Sequence, residues 1–202
     1  MQIALPELHS PATLILDREN GASEEEYLAF CEANPDLRLE RTAKGEIVIE
    51  PPAGGESDYR SLDAGGQLRD WARSTRTGKA FGSSVEFLLP DGAAFSPDAA
   101  WVSNERLGPL SKKQRQQFPR LCPEFVVEVM SPSDRLPAAQ RKMIEWLANG
   151  VELGWLIDGD ARCVYVFRQG CEVQVLSEID RIEGEGPLAG FVLELGEIWE
   201  GL

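Results

Sequence analysis

Apolar and polar positions alternate along this chain in short runs separated by turn signals. The run Phe125-Val126-Val127-Glu128-Val129-Met130 is apolar except for one carboxylate, and its length and composition predict a buried strand. Alternation sets Glu124, Val126, Glu128 and Met130 on one face, with Phe125, Val127 and Val129 on the other. Further strands are predicted at 79–81, 85–89, 98–103, 153–158, 163–167 and 172–176, with Pro90-Asp91-Gly92, Gly159 and Gln169-Gly170 as turns. Residues 37–41 and 46–50 read as a hairpin joined through Ala43-Lys44-Gly45.

Helical periods separate these runs. Ser23 followed by Glu26 forms a capping box and opens a helix that ends near Asn34-Pro35. A longer helix, 56–74, carries Leu68, Trp71 and Ala72 on one face. Gly65-Gly66 in its middle costs about 1 kcal/mol per residue, which points to close packing there. A polar helix is expected around 111–117. Pro137 and Gly150 bound another helix over 137–149. Strands and helices interspersed in this order imply an α/β fold, a mixed β-sheet flanked by α-helices.

Composition narrows the class. The chain has 202 residues, enough for a real core, and is expected to form one domain over 1–202. Residues 1–22 read as an N-terminal extension and 177–202 as a C-terminal capping segment. A hydrophobic content of 43% argues against disorder. Positions 1–16 lack a basic region followed by an apolar core, and no apolar run nears the ~18 residues of a membrane span. A cytoplasmic protein without a membrane partner is expected. The four cysteines show no metal-ligand spacing and read as reduced thiols, although Cys163 and Cys171 could face each other across a hairpin.

The net charge of −14 weighs against a nucleic-acid partner, because phosphate-binding surfaces are normally basic. Local positive charge offers a way round this. Arg69, Arg73, Arg76 and Lys79 form one candidate cluster, and Lys112, Lys113 and Arg115 another, although both read more readily as ordinary solvated faces.

The candidate chemistry centres on two acids. Asp98 begins a strand directly after Ser96-Pro97, and Glu128 lies among apolar neighbours on the next long strand. An ionised carboxylate buried alone is expensive, and a second acid beside it adds repulsion unless a cation intervenes. Each also has a plainer explanation: Asp98 as a strand-end cap, Glu128 in a structural salt bridge. Lys142 shares a helix face with Ala139 and Trp146 and so leans toward the packed side, as a snorkelling lysine also would. Glu56 opens a helix after a Gly-Gly loop, where an acid also complements the helix dipole. Together these four describe a hard-oxygen site for Mg²⁺ or Mn²⁺ beside a lysine, suited to polarising water and neutralising phosphoryl charge. A histidine triad or zinc site is excluded, since His9 is the single histidine. Gly54-Gly55 lacks the lysine of a phosphate-cradling loop, and Trp71, Trp101, Trp146 and Trp155 read as core.

The order Pro97-Asp98 … Glu128 resembles the PD-(D/E)XK nuclease superfamily. More closely, the chain is similar to the Uma-two family of restriction endonucleases. The similar stretches are Gly54-Gly55-Glu56, Ser96-Pro97-Asp98-Ala99-Ala100-Trp101-Val102, Cys122-Pro123-Glu124 through Val129, Ser131-Pro132-Ser133-Asp134, and Asn149-Gly150-Val151 through Asp158. The resemblance implies a restriction-endonuclease-like fold and a metal-dependent phosphodiesterase acting on DNA. Asp98 and Glu128 would bind Mg²⁺ (or Mn²⁺), with Glu56 assisting. The superfamily's lysine two positions after the glutamate is replaced by Met130, and Lys142 is the expected substitute. Cutting a duplex calls for two sites, so a homodimer is expected. The rival reading is a catalytically inactive nuclease-fold module that binds partners or DNA, favoured by the −14 charge and by Met130.

Overall fold

The computed structural model describes residues 10–17 and 19–202; His9 and positions 1–9 of the expected N-terminal extension lie outside the described residues. The chain runs through β1 (Ala12–Leu14), α1 (Glu24–Ala33), β2 (Arg38–Arg41), β3 (Ile47–Glu50), α2 (Gly55–Thr75) and β4 (Gly78–Gly82). Then follow β5 (Phe87–Leu88), β6 (Ala94–Phe95), β7 (Ala99–Ser103), α3 (Asn104–Leu107), β8 (Phe125–Val129) and α4 (Leu136–Ala148). The last third holds β9 (Leu153–Asp158), β10 (Cys163–Arg168), β11 (Gln174–Ser177), β12 (Arg181–Glu183), β13 (Val192–Glu194) and α5 (Gly196–Glu200).

The central sheet has the order β11-β10-β9-β8-β7-β4. Only the β8–β9 pair in it is parallel, because α4 carries the chain back between those strands. The alternation of β8 is realised as expected. Phe125, Val127 and Val129 pack with Ala64, Leu68 and Ala72 of α2, while Val126 packs with Met143 and Trp146 of α4. The sheet is therefore mixed and covered on both faces.

A second, antiparallel sheet has the order β1-β3-β2-β6-β5. Tyr27 and Phe30 of α1 cover one face of it, meeting Leu39, Ile47 and Ile49. The register opposes Arg38 to Glu50 and Glu40 to Val48, which puts these four on the other face. That polar face looks across toward α4. Gly154 on β9 faces α4, and a Cβ there would lie 2.5 Å from Met143 Cε, so that methionine would have to shift.

Several elements depart from the sequence reading. The capping box of Ser23 and Glu26 forms as expected. The polar helix around 111–117 is reduced to a 3-10 turn, Gln114–Gln116, because that segment has no apolar stripe to bury. The glycine pair in α2 serves no close approach: a Cβ on Gly65 would make ordinary contact with Ala99 at 3.7 Å, and Gly66 faces open space. The C-terminal residues do more than cap. They form the β12–β13 hairpin and α5, and bury Phe191, Leu193, Leu195 and Ile198 in the α2-side core. The cysteines are free, and Cys163 lies opposite Ser177, not Cys171.

Candidate active site

Asp98 and Glu128 meet through strand register. Antiparallel pairing of β7 with β8 ends with Ala99 opposite Val127, and continuing that register by one residue brings Asp98, just before β7, toward Glu128. Directly opposed residues point to the same face of a sheet, so the two carboxylates are neighbours. The Val129 backbone N–H donates to Asp98 Oδ2 at 2.7 Å. Glu128 Oε1 accepts from the Trp146 indole Nε1–H at 2.9 Å and lies 3.0 Å from Lys142 Nζ. Lys142 and Trp146 stand one helical turn apart on α4, which is why both reach the same oxygen.

Lys142 has a second acidic partner that sequence reasoning missed. Its Nζ donates to Glu40 Oε1 at 2.8 Å and to the Ser96 carbonyl at 3.3 Å. The same Glu40 oxygen accepts the Ser96 N–H at 3.0 Å, tying β2 to the turn that delivers Asp98. The ammonium also lies 5.8 Å from the Phe95 ring centre. The ammonium thus makes hydrogen bonds to Glu40 and Ser96 and an ion pair with Glu128. A signal for Glu40 was present in the hairpin, where Arg38 and Glu40 alternate with Leu39. What lay opposite that charged face was not.

These groups line a cleft of about 680 Å³ between the hairpin, the Ser96–Asp98 turn, the end of β8 and α4. Its lining holds six carboxylates (Glu40, Glu50, Asp98, Glu128, Asp134 and Glu145) against three cations, Arg38, Arg141 and Lys142. Burial pushes Glu128 up to about 8; Lys142 opposes this, while Asp98 and Glu40 reinforce it. Burial likewise raises Asp98, against the Val129 N–H bond and the charge of Lys142. Glu50 is pushed up to about 7 by burial and by Glu40. Lys142 goes the other way from an ordinary buried lysine: burial favours its neutral form, but Glu128 and Glu40 outweigh that and keep it protonated. The cleft is thus short of positive charge.

Three of the four expected site residues come together: Asp98, Glu128 and Lys142. Glu56 does not join them. It pairs with Arg60 at 2.8 Å and accepts the Leu202 N–H at 3.2 Å. Successive helical residues differ by about 100°, so Ser57 and Ser61 line the cleft while Glu56 and Arg60 share a different face. Neither basic cluster reaches the cleft: Arg69, Arg73, Arg76, Lys79, Lys112, Lys113 and Arg115 are all absent from its lining. A second cleft of about 800 Å³, beside α1 and residues 115–120, contains none of the expected site residues.

The donor set suits a small hard cation in part. Among the described residues no three acidic, histidine or cysteine side chains converge as a complete cage. Asp98 Oδ1 and Glu128 Oε2 accept no hydrogen bond from a described residue, whereas their sister oxygens are engaged. Two open carboxylate oxygens in an electron-rich cleft fit Mg²⁺ or Mn²⁺, which ordinarily keep several waters and use one or two carboxylates.

Comparison with known proteins agrees with this architecture. The family model Uma2, described as "Putative restriction endonuclease", matches residues 24–196. A similar solved structure is "a putative nuclease belonging to DUF820 from Anabaena variabilis ATCC 29413", with a TM-score of 0.74 and 19% identity. That match covers 88% of this chain and 97% of the other. A structure of a DrdV–DNA complex overlaps 55% of this chain and 63% of its own at 18% identity, with a TM-score of 0.31, too slight a likeness to bear on the fold. Comparison with curated proteins returns no match. The match over 24–196 makes this chain a member of the Uma2 family, and its α/β architecture is that of a restriction-endonuclease-like fold.

Proposed function

We propose that this protein is a divalent-metal-dependent endonuclease that hydrolyses phosphodiester bonds in DNA. The observation that carries the reading is the pairing of Asp98 with Glu128, each with one engaged and one open oxygen, beside Lys142. Asp98 Oδ1 and Glu128 Oε2 would hold Mg²⁺ or Mn²⁺. Bound there, the ion supplies a polarised water and neutralises charge on a phosphoryl oxygen. Lys142 supplies a fixed positive charge beside the reacting phosphate and stabilises the charge that develops on it. Glu40 holds Lys142 in place from the opposite wall. Because the cleft has an excess of carboxylates, the ion is also needed to admit a polyanion. Cutting both strands of a duplex requires two such clefts, so the proposal includes a homodimer on DNA, in the cytoplasm.

One observation favours a second reading, a nuclease-fold module without catalysis. Lys142 is already engaged by three groups of the protein itself, through hydrogen bonds to Glu40 and Ser96 and an ion pair with Glu128. Catalysis therefore requires Lys142 to release one of them when substrate arrives.

The deciding experiment is cleavage of supercoiled and linear DNA, and of RNA, with Mg²⁺ or Mn²⁺ and with chelator. Wild type is compared with Lys142→Met. Metal-dependent nicking of DNA that falls about 10²–10³-fold in the variant supports the enzyme. Metal binding without cleavage of either polymer supports the silent module. RNA cleavage alone would replace the substrate and keep the chemistry.

A further inference from the structure

Trp146 is fully buried, and its ring is wedged edge-on between Phe87 and Phe95, with centroid distances of 6.3 and 5.5 Å. Its orientation is therefore set by packing, and with it the direction of its one N–H. That N–H points at Glu128 Oε1, 2.9 Å away. Packing alone does not demand such a bond in this fold, since the buried Trp101 Nε1 has no hydrogen-bond partner among the described residues.

We infer that Trp146 is a positioning residue for the proposed metal site: with Lys142 it commits Glu128 Oε1 and presents Oε2 alone to a cation. The inference rests on the metal-dependent reading above. Asp98 is arranged in the same way, with the Val129 N–H on Oδ2 and Oδ1 open. Two carboxylates that each offer one oxygen suit a compact octahedral ion that keeps its waters. Ca²⁺, which takes six to eight oxygens and often both from one carboxylate, is disfavoured. Groups that orient a ligand in this way are ordinarily worth about 10–100-fold in metal affinity.

The test is calorimetric titration of the full chain with Mn²⁺ and with Ca²⁺, comparing wild type, Trp146→Phe and Trp155→Phe. Trp155 is equally buried but packs with Phe125 and Phe191 on the other face of the central sheet, so its variant measures the cost of a lost core indole alone. The expected result is a Mn²⁺ affinity lowered about 10–100-fold in Trp146→Phe and nearly unchanged in Trp155→Phe. The preference for Mn²⁺ over Ca²⁺ should narrow in Trp146→Phe only. Equal Mn²⁺ affinity in Trp146→Phe and wild type overturns the role of Trp146 and leaves the metal site standing. No binding by wild type removes the metal site, and this role with it.

If Trp146→Phe does not fold, the wild type decides. Its five tryptophans give five indole N–H signals in a ¹⁵N spectrum. Mg²⁺ should shift the Trp146 signal more than the other four. Saturation with Mg²⁺ that leaves it unmoved overturns the inference.

Discussion

Glu40 and Lys142 lie 102 positions apart in the sequence and meet at 2.8 Å, where Glu40 Oε1 accepts from Nζ. The contact joins the second sheet to α4, and through the Ser96 N–H it also fixes the turn before Asp98. Glu40→Ala should lower stability by about 1.5–3 kcal/mol, the usual range for a charged hydrogen bond. Cleavage should fall more steeply than substrate affinity, because Lys142 loses its anchor. Glu40→Gln keeps an acceptor and should recover most of the stability. Urea unfolding and single-turnover rates check this; a Glu40→Ala protein equal to wild type in both would remove Glu40 from the site.

Asp98→Asn should separate stability from activity. The asparagine Oδ1 still accepts the Val129 N–H, while one of two adjacent buried charges disappears. Burial already raises the proton affinity of Asp98, so its ionised form opposes folding. In chelator the variant should be at least as stable as wild type, while metal-dependent cleavage is lost. Thermal unfolding with and without Mn²⁺ is the measurement. A loss of more than about 2 kcal/mol would mean that the charge supports the fold.

Glu86 should make stability fall as pH rises. It is only 5% exposed, and burial pushes it from its ordinary 4.5 up to about 7, against the hydrogen bond from the Tyr27 hydroxyl. The folded state therefore binds this proton more tightly than the unfolded state does. Its contribution is complete below pH 4.5 and is lost as pH rises through 7, on the order of 3 kcal/mol in all. Glu86→Gln should flatten this fall and stabilise the protein at pH 8. Glu50, also pushed up to about 7, acts in the same window, so the variant flattens only part of it. Equal slopes between pH 5 and 8 in both proteins would contradict the assignment.

Glu56→Gln tests the one expected site residue that the fold places elsewhere. Glu56 is about a third exposed and braces Arg60, which itself pairs with Asp160 at 2.9 Å. The variant should cost about 0.5–1 kcal/mol of stability and leave cleavage unchanged. A large loss of turnover with the fold intact would return Glu56 to the chemistry.

Much of this protein is decided by local pattern. The apolar run around Glu128, the Ser23 capping box and the Pro137–Gly150 bounds each depend on neighbours a few residues away, and each is legible in the chain. The faces on which Glu128 and Lys142 lie follow from periods of two and of nearly four, whereas Asp98 joins them through the β7–β8 register. Tertiary structure alone decided the rest. Glu40 enters the site because the polar face of one sheet is laid against a helix about a hundred residues away, a pairing that no local period encodes. Glu56 leaves it because one residue's turn about α2 aims it at Arg60 while Ser57 faces the cleft. Trp146 reads as core from its spacing, and is core. Only the packing of Phe87 and Phe95 around it turns its N–H onto Glu128.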